Sequence, residues 1–280
     1  MARLGFSCLG LSEVCWMGKG HYGTERGSLV IYSGSEVKRE AGVAMMLDKR
    51  SAGALFGYNP ISNRVLTVRL AAKLWNPTLI QVYAPTNQAS VAEKNRFYTS
   101  LQQVLSQVPN QDVVVLSGDF NAKLGKGAPI SELALGVRND NGERLSQFAE
   151  VNRLVTANTI RRQHPRHQYT WCAPGGKCRN QIDYILLSRR WLSSMDKCKT
   201  CPGADADTEN VVVRLEFKLK LHRLPKKKST PQYNLSEKER FQLELRNRYQ
   251  FLDKPGAADP KNVMVAAERK RAQRSVGMVE

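Results

Sequence analysis

Short apolar runs separated by turn residues recur along the first 224 residues, and they constrain the fold more than any other feature. Runs of about four to eight residues rich in Val, Ile, Leu and Thr, bounded by Gly, Asn or Pro, indicate strands. In the last run the odd positions from 211 to 221 are apolar, so one face of that strand packs and the other meets water. These patterns predict strands at residues 28–33, 41–47, 64–70, 78–84, 112–116, 154–158, 168–171, 181–188 and 211–221.

Two segments have helical spacing instead of strand spacing. Ser90, with Glu93 three residues later, forms a capping box that predicts the start of one helix. A second amphipathic helix is predicted over residues 142–154. Single helices among many strands predict an α/β (α+β) fold, a four-layer sandwich of two packed mixed β-sheets flanked by helices. The inward-facing helix residues are Phe97, Leu101, Val104, Leu105, Val108, Leu145, Phe148, Ala149 and Leu154.

The composition is that of a globular protein, with 41% hydrophobic and 24% charged residues among 280. No stretch has the roughly 18 uncharged apolar residues that span a bilayer, and the first residues lack a convincing secretory signal. The character changes after residue 224, where "PKKKSTPQ" indicates a linker and residues 236–252 indicate a helix. We therefore predict a folded domain over residues 1–224 and a basic linker with a helical tail over 225–280.

The chain is strongly basic, with 43 Lys and Arg against 25 Asp and Glu and a formal charge of +18. Such a surplus favours a polyanionic partner, because binding of phosphates releases their counterions. Part of the surplus lies in the tail, but "IRRQHPRHQ" at residues 160–168 and "LSRRW" lie within the predicted domain. The charge therefore predicts nucleic acid as the partner.

Six cysteines occur at positions 8, 15, 172, 178, 198 and 201. The last four are spaced C-x5-C and C-x2-C, and only the second pair has a common zinc-ligand spacing. Without a secretory signal, reduced thiols are favoured over disulfides, and scattered thiols over a zinc site.

Polar residues follow the ends of several predicted strands. They are Glu13 in "LSEV", Tyr83 in "QVYAPTN", Asp119 and Asn121 in "GDFNA", and Asp183 in "NQIDYILLS". Any one of them is most often a turn or cap residue. Together they match hydrolysis of a phosphodiester, which needs carboxylates for a divalent cation and for the attacking water, and donors for the charge on the phosphate.

The motifs and their order resemble the endonuclease/exonuclease/phosphatase superfamily of Mg²⁺-dependent enzymes. More specifically, "LSEVCWMGKG", "VYAPTNQ", "GDFNAKLG", "RNQIDYILLS" and "FQLELRNRY" look like the endonuclease of RTE-type LINE retrotransposons. The resemblance covers about residues 4–221, and the tail resembles the linker that precedes the reverse transcriptase. It implies a DNA endonuclease with Mg²⁺ or Mn²⁺ as its cofactor.

Carried over by motif, the resemblance implies that Glu13 is a metal ligand and that Tyr83 contacts the phosphate. It implies that Asp119 positions or deprotonates the attacking water, and that Asn121 donates to the phosphate. Asp183 matches an acid that, in the family, pairs with a histidine.

The sequence departs from the family at two places. The family's first strand, which ends in a metal-binding Asn, has no counterpart before the Glu13 motif, so we predict that this strand is missing. The family's last motif is Ser-Asp-His, and Thr208, Glu209 and Asn210 align with it. This alignment makes Glu209 a metal ligand and catalytic acid, and it puts Asn210 where the family has its histidine. An alternative alignment uses Asp205 or Asp207 as the acid.

Three functions remain open on these residues. The first is an active Mg²⁺-dependent DNA endonuclease that nicks one strand. The second is a catalytically impaired derivative that keeps the fold as a nucleic-acid- or protein-binding module. The third, disfavoured by the charge, is a phosphatase acting on a small or lipid phosphate. The run "RLPKKK" and the DNA substrate predict a nuclear protein that is not secreted, with the cytoplasm as a second location.

Overall fold

The computed structural model describes residues 5–127, 130–131, 133–173, 178–202 and 208–221. All of them belong to the first of the two units into which the chain divides, Met1–Pro225. The predicted linker and tail at 225–280 lie outside the described residues, so the domain boundary stays a prediction. Within the described ranges, no helix is long and apolar enough to cross a membrane.

Fourteen strands and three α-helices make up the described residues. The helices are α1 Lys49–Gly53, α2 Val91–Gln107 and α3 Asp140–Val151. Short 3₁₀ helices occur at Pro165–His167 and Arg189–Ser194. The strands are β1 Cys8–Ser12, β2 Lys19–Gly23, β3 Leu29–Ser33, β4 Val43–Leu47, β5 Leu55–Ser62, β6 Val65–Leu70, β7 Pro77–Tyr83, β8 Val113–Asp119, β9 Leu154–Thr156, β10 Trp171–Cys172, β11 Arg179–Asn180, β12 Asp183–Ser188, β13 Met195–Thr200 and β14 Val213–Phe217.

Two large sheets form the centre of the domain. One has six strands in the order β5-β6-β7-β8-β12-β9, and the other has four in the order β1-β4-β3-β2. In the six-stranded sheet only β7 and β8 run parallel; every other neighbouring pair is antiparallel. The smaller pairs β10-β11 and β13-β14 complete the described strands.

The two large sheets pack face to face. Their interface is an apolar cluster of β-branched and long aliphatic side chains, as the period-2 patterns predict. Gly10 of β1 lies so close to Gln81 of β7 that a Cβ atom there would overlap the Gln81 amide, which lets the sheets approach. The cluster consists of Ile31, Val43, Met45, Leu47, Leu66, Val68 and Leu70.

Helices α2 and α3 cover the other face of the six-stranded sheet. The Ser90 hydroxyl accepts a hydrogen bond from the backbone N–H of Glu93, so the predicted cap of α2 is confirmed. The Asn139 side chain caps α3 in the same way, through Gly142. Their apolar faces enter a second core with Ile80, Leu116 and Phe120, and the predicted sandwich of packed sheets with flanking helices is confirmed.

Some predicted boundaries differ from the structure. The helix predicted over 142–154 corresponds to α3, which starts at Asp140 and ends at Val151. Leu154 therefore enters the core as part of strand β9 and not of the helix. The strand predicted over 211–221 is regular only at Val213–Phe217, where it pairs with β13 outside the two large sheets. Of the residues predicted as a strand over 168–171, only Trp171 lies in one, the two-residue β10. Strand β1 lies at an edge of the four-stranded sheet, and the loss of a strand before it stays a prediction.

Candidate active site

Strand register brings three of the predicted site residues side by side. Tyr83, at the end of β7, is the parallel partner of Asp119 at the end of β8. Asp119 is in turn the antiparallel partner of Asp183 at the start of β12. Residues opposite each other on neighbouring strands have Cβ atoms about 5 Å apart, so the phenol and the two carboxylates share one edge of the sheet.

Glu13 reaches the same edge from the four-stranded sheet. The Ser12 hydroxyl donates to the Val82 carbonyl at 2.9 Å and accepts from the Asp119 backbone N–H at 3.3 Å. The next residue, Glu13, adopts a left-handed backbone with φ 58°, which turns the chain out of β1. The Glu13 carboxylate is exposed to solvent and close enough to raise the pKa values of Tyr83 and Asp119.

The "GDFN" segment is shaped by its backbone. Gly118 has φ 147°, and a Cβ atom there would overlap the Val82 carbonyl, so only glycine lets β7 and β8 approach at this point. Asn121 has φ 48°, its backbone N–H donates to Asp119 Oδ1 at 2.8 Å, and its side-chain amide donates to the Ala84 carbonyl at 3.0 Å. The motif therefore orients the Asp119 carboxylate and ties it to the loop after Tyr83.

Burial and mutual repulsion leave these groups with perturbed acidity. Burial, with a smaller contribution from Glu13, raises the pKa of Asp119 to about 6, against the opposing hydrogen bond from Asn121. Burial and then the Asp119 charge raise the pKa of Asp183 well above its usual range. Burial and the carboxylates of Glu13 and Asp119 raise the pKa of Tyr83 to about 12. The edge thus concentrates negative charge that the fold does not neutralise.

The backbone of Asp183 is held by a hydrogen bond, but one oxygen of its carboxylate is not. Thr170 Oγ1 accepts from the backbone N–H groups of Ile182 and Asp183, at 2.9 and 3.0 Å, and fixes the start of β12. Asp183 Oδ2 is inaccessible and has no hydrogen-bond partner among the described residues. A buried carboxylate oxygen without a partner is costly, which marks this atom as a position for a missing ligand or proton.

The last motif pairs with the segment that anchors Asp183, because Asn210 bridges Trp171 and the Val211 N–H donates to the Thr170 carbonyl at 2.7 Å. The Glu209 carboxylate accepts from Trp171 Nε1 at 3.0 Å, and the backbone N–H of Asn210 donates to Thr208 Oγ1 at 3.0 Å. Neither side chain hydrogen-bonds to Asp119 or Asp183 in the described structure, so the roles predicted for Glu209 and Asn210 stay predictions. The alternative acids, Asp205 and Asp207, lie outside the described residues.

The charge pattern of this edge fits a Mg²⁺-type ion better than a zinc ion. In the ranges that the structure describes, no three His, Cys, Asp or Glu side chains converge as a closed metal cage. Mg²⁺ is ordinarily held by one or two carboxylates together with water and substrate phosphates. Exposed Glu13 beside buried Asp119 supplies such an open set of oxygen donors. All six cysteines are free thiols.

Sequence motifs did not identify the residues that hold the site together. Asn141, 2% exposed, donates to the carbonyls of Pro85 at 2.9 Å and Asn121 at 3.1 Å, which links the two site loops. The Lys94 ammonium, also buried, donates to the Asn87 carbonyl at 2.6 Å and pairs with Asp140 at 3.0 Å. Their sequence signal is "RNDNGERL", in which Asn139 and Asn141 flank the start of α3.

A basic surface lies beside the Asp183 end of the site. The segment after β9 joins β13 through Gln163, which donates to the Cys198 carbonyl, and His167, which contacts the Thr200 carbonyl at 2.9 Å. The exposed cations here form no ion pair with another described residue, so their charge faces solvent. They are Arg161, Arg162, Arg166, Arg179, Lys197 and Lys199.

Two curated proteins are similar over most of the chain. Craniofacial development protein 2 from Bos taurus is 40% identical over 229 residues, which is 81% of this chain and 38% of the relative. The protein of the same name from Tragulus javanicus is also 40% identical over 81% of this chain, and 40% of its own length is matched. The chain is a homologue of craniofacial development protein 2. It spans about two fifths of the length of these relatives, and no protein-family profile matches it.

Solved structures show the same fold at low identity. The catalytic domain of Xenopus laevis APE2 matches with a TM-score of 0.62 and 18% identity, over 80% of this chain and 87% of that one. A 3′ phosphatase from Neisseria bound to a product DNA hairpin matches at 0.54 and 16%, over 76% and 89%. The endonuclease domain of TRAS1, a telomere-specific non-LTR retrotransposon, matches at 0.51 and 15%, over 69% and 80%. This craniofacial development protein 2 homologue therefore has the endonuclease/exonuclease/phosphatase fold.

Proposed function

We propose that the chain is a divalent-metal-dependent nuclease that hydrolyses a phosphodiester bond in DNA. The observation that carries the proposal is the convergence of Tyr83, Asp119 and Asp183 on adjacent strands, with Glu13 turned towards them. Buried carboxylates that share one sheet edge need a compensating ligand, because unpaired buried charge is destabilising.

Each side chain has a distinct chemical capacity. Asp119, with a pKa of about 6, is ionised at neutral pH and close to the acidity of an effective general base, so it orients and deprotonates the attacking water. Tyr83, with a pKa of about 12, keeps its proton and donates a hydrogen bond to a phosphate oxygen. Asn121 Nδ2 uses one hydrogen for the Ala84 carbonyl and has a second for the phosphate.

A divalent cation fits beside Glu13 and Asp119. When bound, Mg²⁺ or Mn²⁺ supplies positive charge that polarises the phosphate and stabilises the charge of the transition state. Glu13, at the exposed side of the site, would hold the ion together with Asp119.

DNA is the substrate that the surface charge favours. The net charge of +18 and the six unpaired cations beside Asp183 suit a phosphate backbone. The DNA-bound 3′ phosphatase among the similar structures supports the same substrate class. The motif order and the likeness to the TRAS1 endonuclease domain support descent from a non-LTR retrotransposon.

A catalytically impaired, DNA-binding derivative is the second candidate. Asp183 Oδ2 lacks a partner, and Asn210 stands in sequence where the family has a histidine that would pair with it. An Asn cannot carry a proton charge near neutral pH. If this substitution limits catalysis, Asn210→His raises nicking activity, and an unchanged rate removes Asn210 from the site.

The test is relaxation of supercoiled plasmid by the purified chain. We expect Mg²⁺-dependent nicking that EDTA stops and that Asp119→Ala abolishes. Glu150→Ala, on the exposed face of α3, is the matched control and leaves nicking unchanged. Absence of nicking in the unaltered chain contradicts the nuclease proposal and favours the binding derivative. Nuclear accumulation of a fluorescent fusion tests the proposed nuclear location.

A further inference from the structure

Three aromatic side chains pack together on the surface near Glu13. The ring centroids of Trp16 and Tyr32 are 5.7 Å apart with the rings nearly perpendicular, and Tyr22 lies 6.3 Å from Trp16 and 6.4 Å from Tyr32. Trp16 is 37% exposed and Tyr22 is 47% exposed, so the cluster presents ring surface to solvent. We call these three residues the Trp16 cluster.

Strand register places the Trp16 cluster on the outer face of the four-stranded sheet. Ile31 of β3 enters the core between the sheets, so Tyr32, the next residue, points away from it. Tyr32 pairs with Gly20, and Tyr22 pairs with Val30, which puts both rings on the same face. Gly20 has no side chain to cover Tyr32; an added Cβ atom would approach the Tyr32 hydroxyl to 3.2 Å.

The cluster is close to the proposed metal ligand. Trp16 follows Glu13 by three residues, and three residues span at most about 11 Å. The connecting backbone is fixed, because Cys15 N–H donates to the Ala41 carbonyl at 2.7 Å and Gly18 N–H donates to the Ser35 carbonyl at 3.0 Å. The Trp16 ring is therefore held at a set distance from the site before any ligand binds.

The charges around the cluster do not favour a phosphate contact. The adjoining segment has no net charge, since Lys38 and Arg39 are balanced in number by Glu36 and Glu40, whereas six exposed cations lie at the opposite, Asp183 side of the site. Aromatic rings bind nucleobases by stacking, which needs a planar face and no net charge. The two flanks of the site thus suit different parts of a nucleotide chain, with phosphates on the Asp183 side and bases on the Glu13 side.

We propose that the Trp16 cluster is a stacking platform for an unpaired nucleobase of the strand bound at the candidate active site. This deepens the proposed function and rests on it for the position of the strand. The substrate class is DNA that is single-stranded or unpaired next to the bond that enters the site, since a paired and stacked base has no free face. The occupant is a base and not a second protein, because a polyanion is the partner that the charge of the chain selects.

A second exposed aromatic pair provides a matched control. Trp75 is 41% exposed, and its ring lies 5.9 Å from that of Trp191. Trp75 precedes the start of β7, whereas Tyr83 ends that strand, so the pair lies about 20 Å from the site along the sheet. The two tryptophans have comparable exposure but opposite positions relative to the carboxylates.

The test is binding of fluorescent oligonucleotides to the full chain in EDTA, where no hydrolysis occurs. We expect Trp16→Ala to weaken single-stranded DNA about 5- to 100-fold, the range for loss of one base stack, and to change duplex affinity less than about twofold. Tyr22→Ala weakens the same ligand less, and Trp16→Phe restores most of the affinity. Trp75→Ala changes neither affinity.

Other outcomes overturn the platform. An equal loss for single-stranded and duplex DNA, or an equal loss in Trp75→Ala, shows that the aromatic cluster has no preference for unpaired bases. A dimer that Trp16→Ala dissociates shows that a second copy covers this face. Because binding is measured without metal, the two proposals can fail separately. If Trp16→Ala weakens binding but the unaltered chain does not nick plasmid, the stacking platform is retained and hydrolysis is rejected. If the chain nicks plasmid but Trp16→Ala binds normally, only the platform is rejected.

Discussion

Strand β8 has a buried carboxylate at each end, and the two carboxylates have opposite electrostatic environments. Asp112, just before the strand, accepts two hydrogen bonds from the Arg69 guanidinium at 2.7 and 2.9 Å and one from Thr78 Oγ1 at 2.7 Å. Asp119, at the other end, faces Asp183 and Glu13 and receives one backbone N–H from Asn121.

The difference separates a structural acid from a functional one. At Asp112 each charge has a partner, and the bidentate Arg69 contact joins β6 to the start of β8. At Asp119 the neighbouring groups are acids, and their mutual repulsion destabilises the folded state. Carboxylates that are left uncompensated in this way are typical of sites that bind a cation or transfer a proton.

The largest expected effect is on activity at the Asp119 end. We predict that Asp119→Asn lowers plasmid nicking by a factor of about 10² to 10⁴, because an amide cannot accept the proton of the attacking water. The same substitution leaves the folded state intact, which circular dichroism and thermal melting check. Retention of normal nicking by this variant removes Asp119 from the chemistry.

The matching substitution at the other end affects stability instead. We predict that Asp112→Asn lowers the free energy of unfolding by about 3 kcal/mol, because it leaves the Arg69 charge without its buried counter-ion. Urea denaturation monitors the change. If Asp112→Asn and Asp119→Asn destabilise the protein equally, the contrast between the two ends of β8 is wrong.

The pH dependence of stability sharpens the contrast. The folded-state pKa of Asp119 is raised to about 6, so protonation favours the folded state; this contribution is present below about pH 4 and is lost as pH rises through about 6. In metal-free protein, Asp119→Asn should therefore gain about 2 kcal/mol relative to the unaltered chain between pH 4 and pH 8. Thermal melts across this range measure it, and a flat difference contradicts the buried-acid assignment.

The smallest expected effect comes from removing the caps of two helices. Asn139 caps α3 and also bonds the backbone of Lys123 and Asn121, whereas Ser90 caps α2 without touching the site. Each change to Ala should cost about 1 kcal/mol of stability. Only Asn139→Ala should also reduce nicking at temperatures where both variants are folded. Equal nicking in the two variants shows that α3 does not position the "GDFN" segment.

Much of the site could be predicted from sequence because each motif lies where a strand ends. Tyr83, Asp119 and Asp183 follow apolar runs whose period marks the strands, and the structure brings the three together. The direct pairing of Tyr83 with Asp119 and of Asp119 with Asp183 depends on long-range strand register, which one sequence does not encode locally. The role of Glu209 stays a prediction, since the one hydrogen bond of its carboxylate among the described residues comes from the Trp171 indole.

Two of the strands that sequence patterns missed, β1 and β5, have identifiable causes. Strand β5, "LFGYNPIS", contains Gly57 and Pro60, and its pairing with β6 shifts at both interruptions. Strand β1, "CLGLS", is short and carries Gly10, which is needed for contact with Gln81 and weakens the strand signal. The left-handed turn at Glu13 follows from its contacts and not from its residue type, since Glu rarely has positive φ.

Binding of a divalent ion tests the central distinction between the two ends of β8 most directly. Calorimetric titration of the full chain with Mn²⁺ should show binding that Glu13→Gln abolishes and that Asp112→Asn retains. Undiminished binding in Glu13→Gln, or no binding by the unaltered chain, would contradict the assignment of the Glu13 and Asp119 carboxylates to a metal-dependent site.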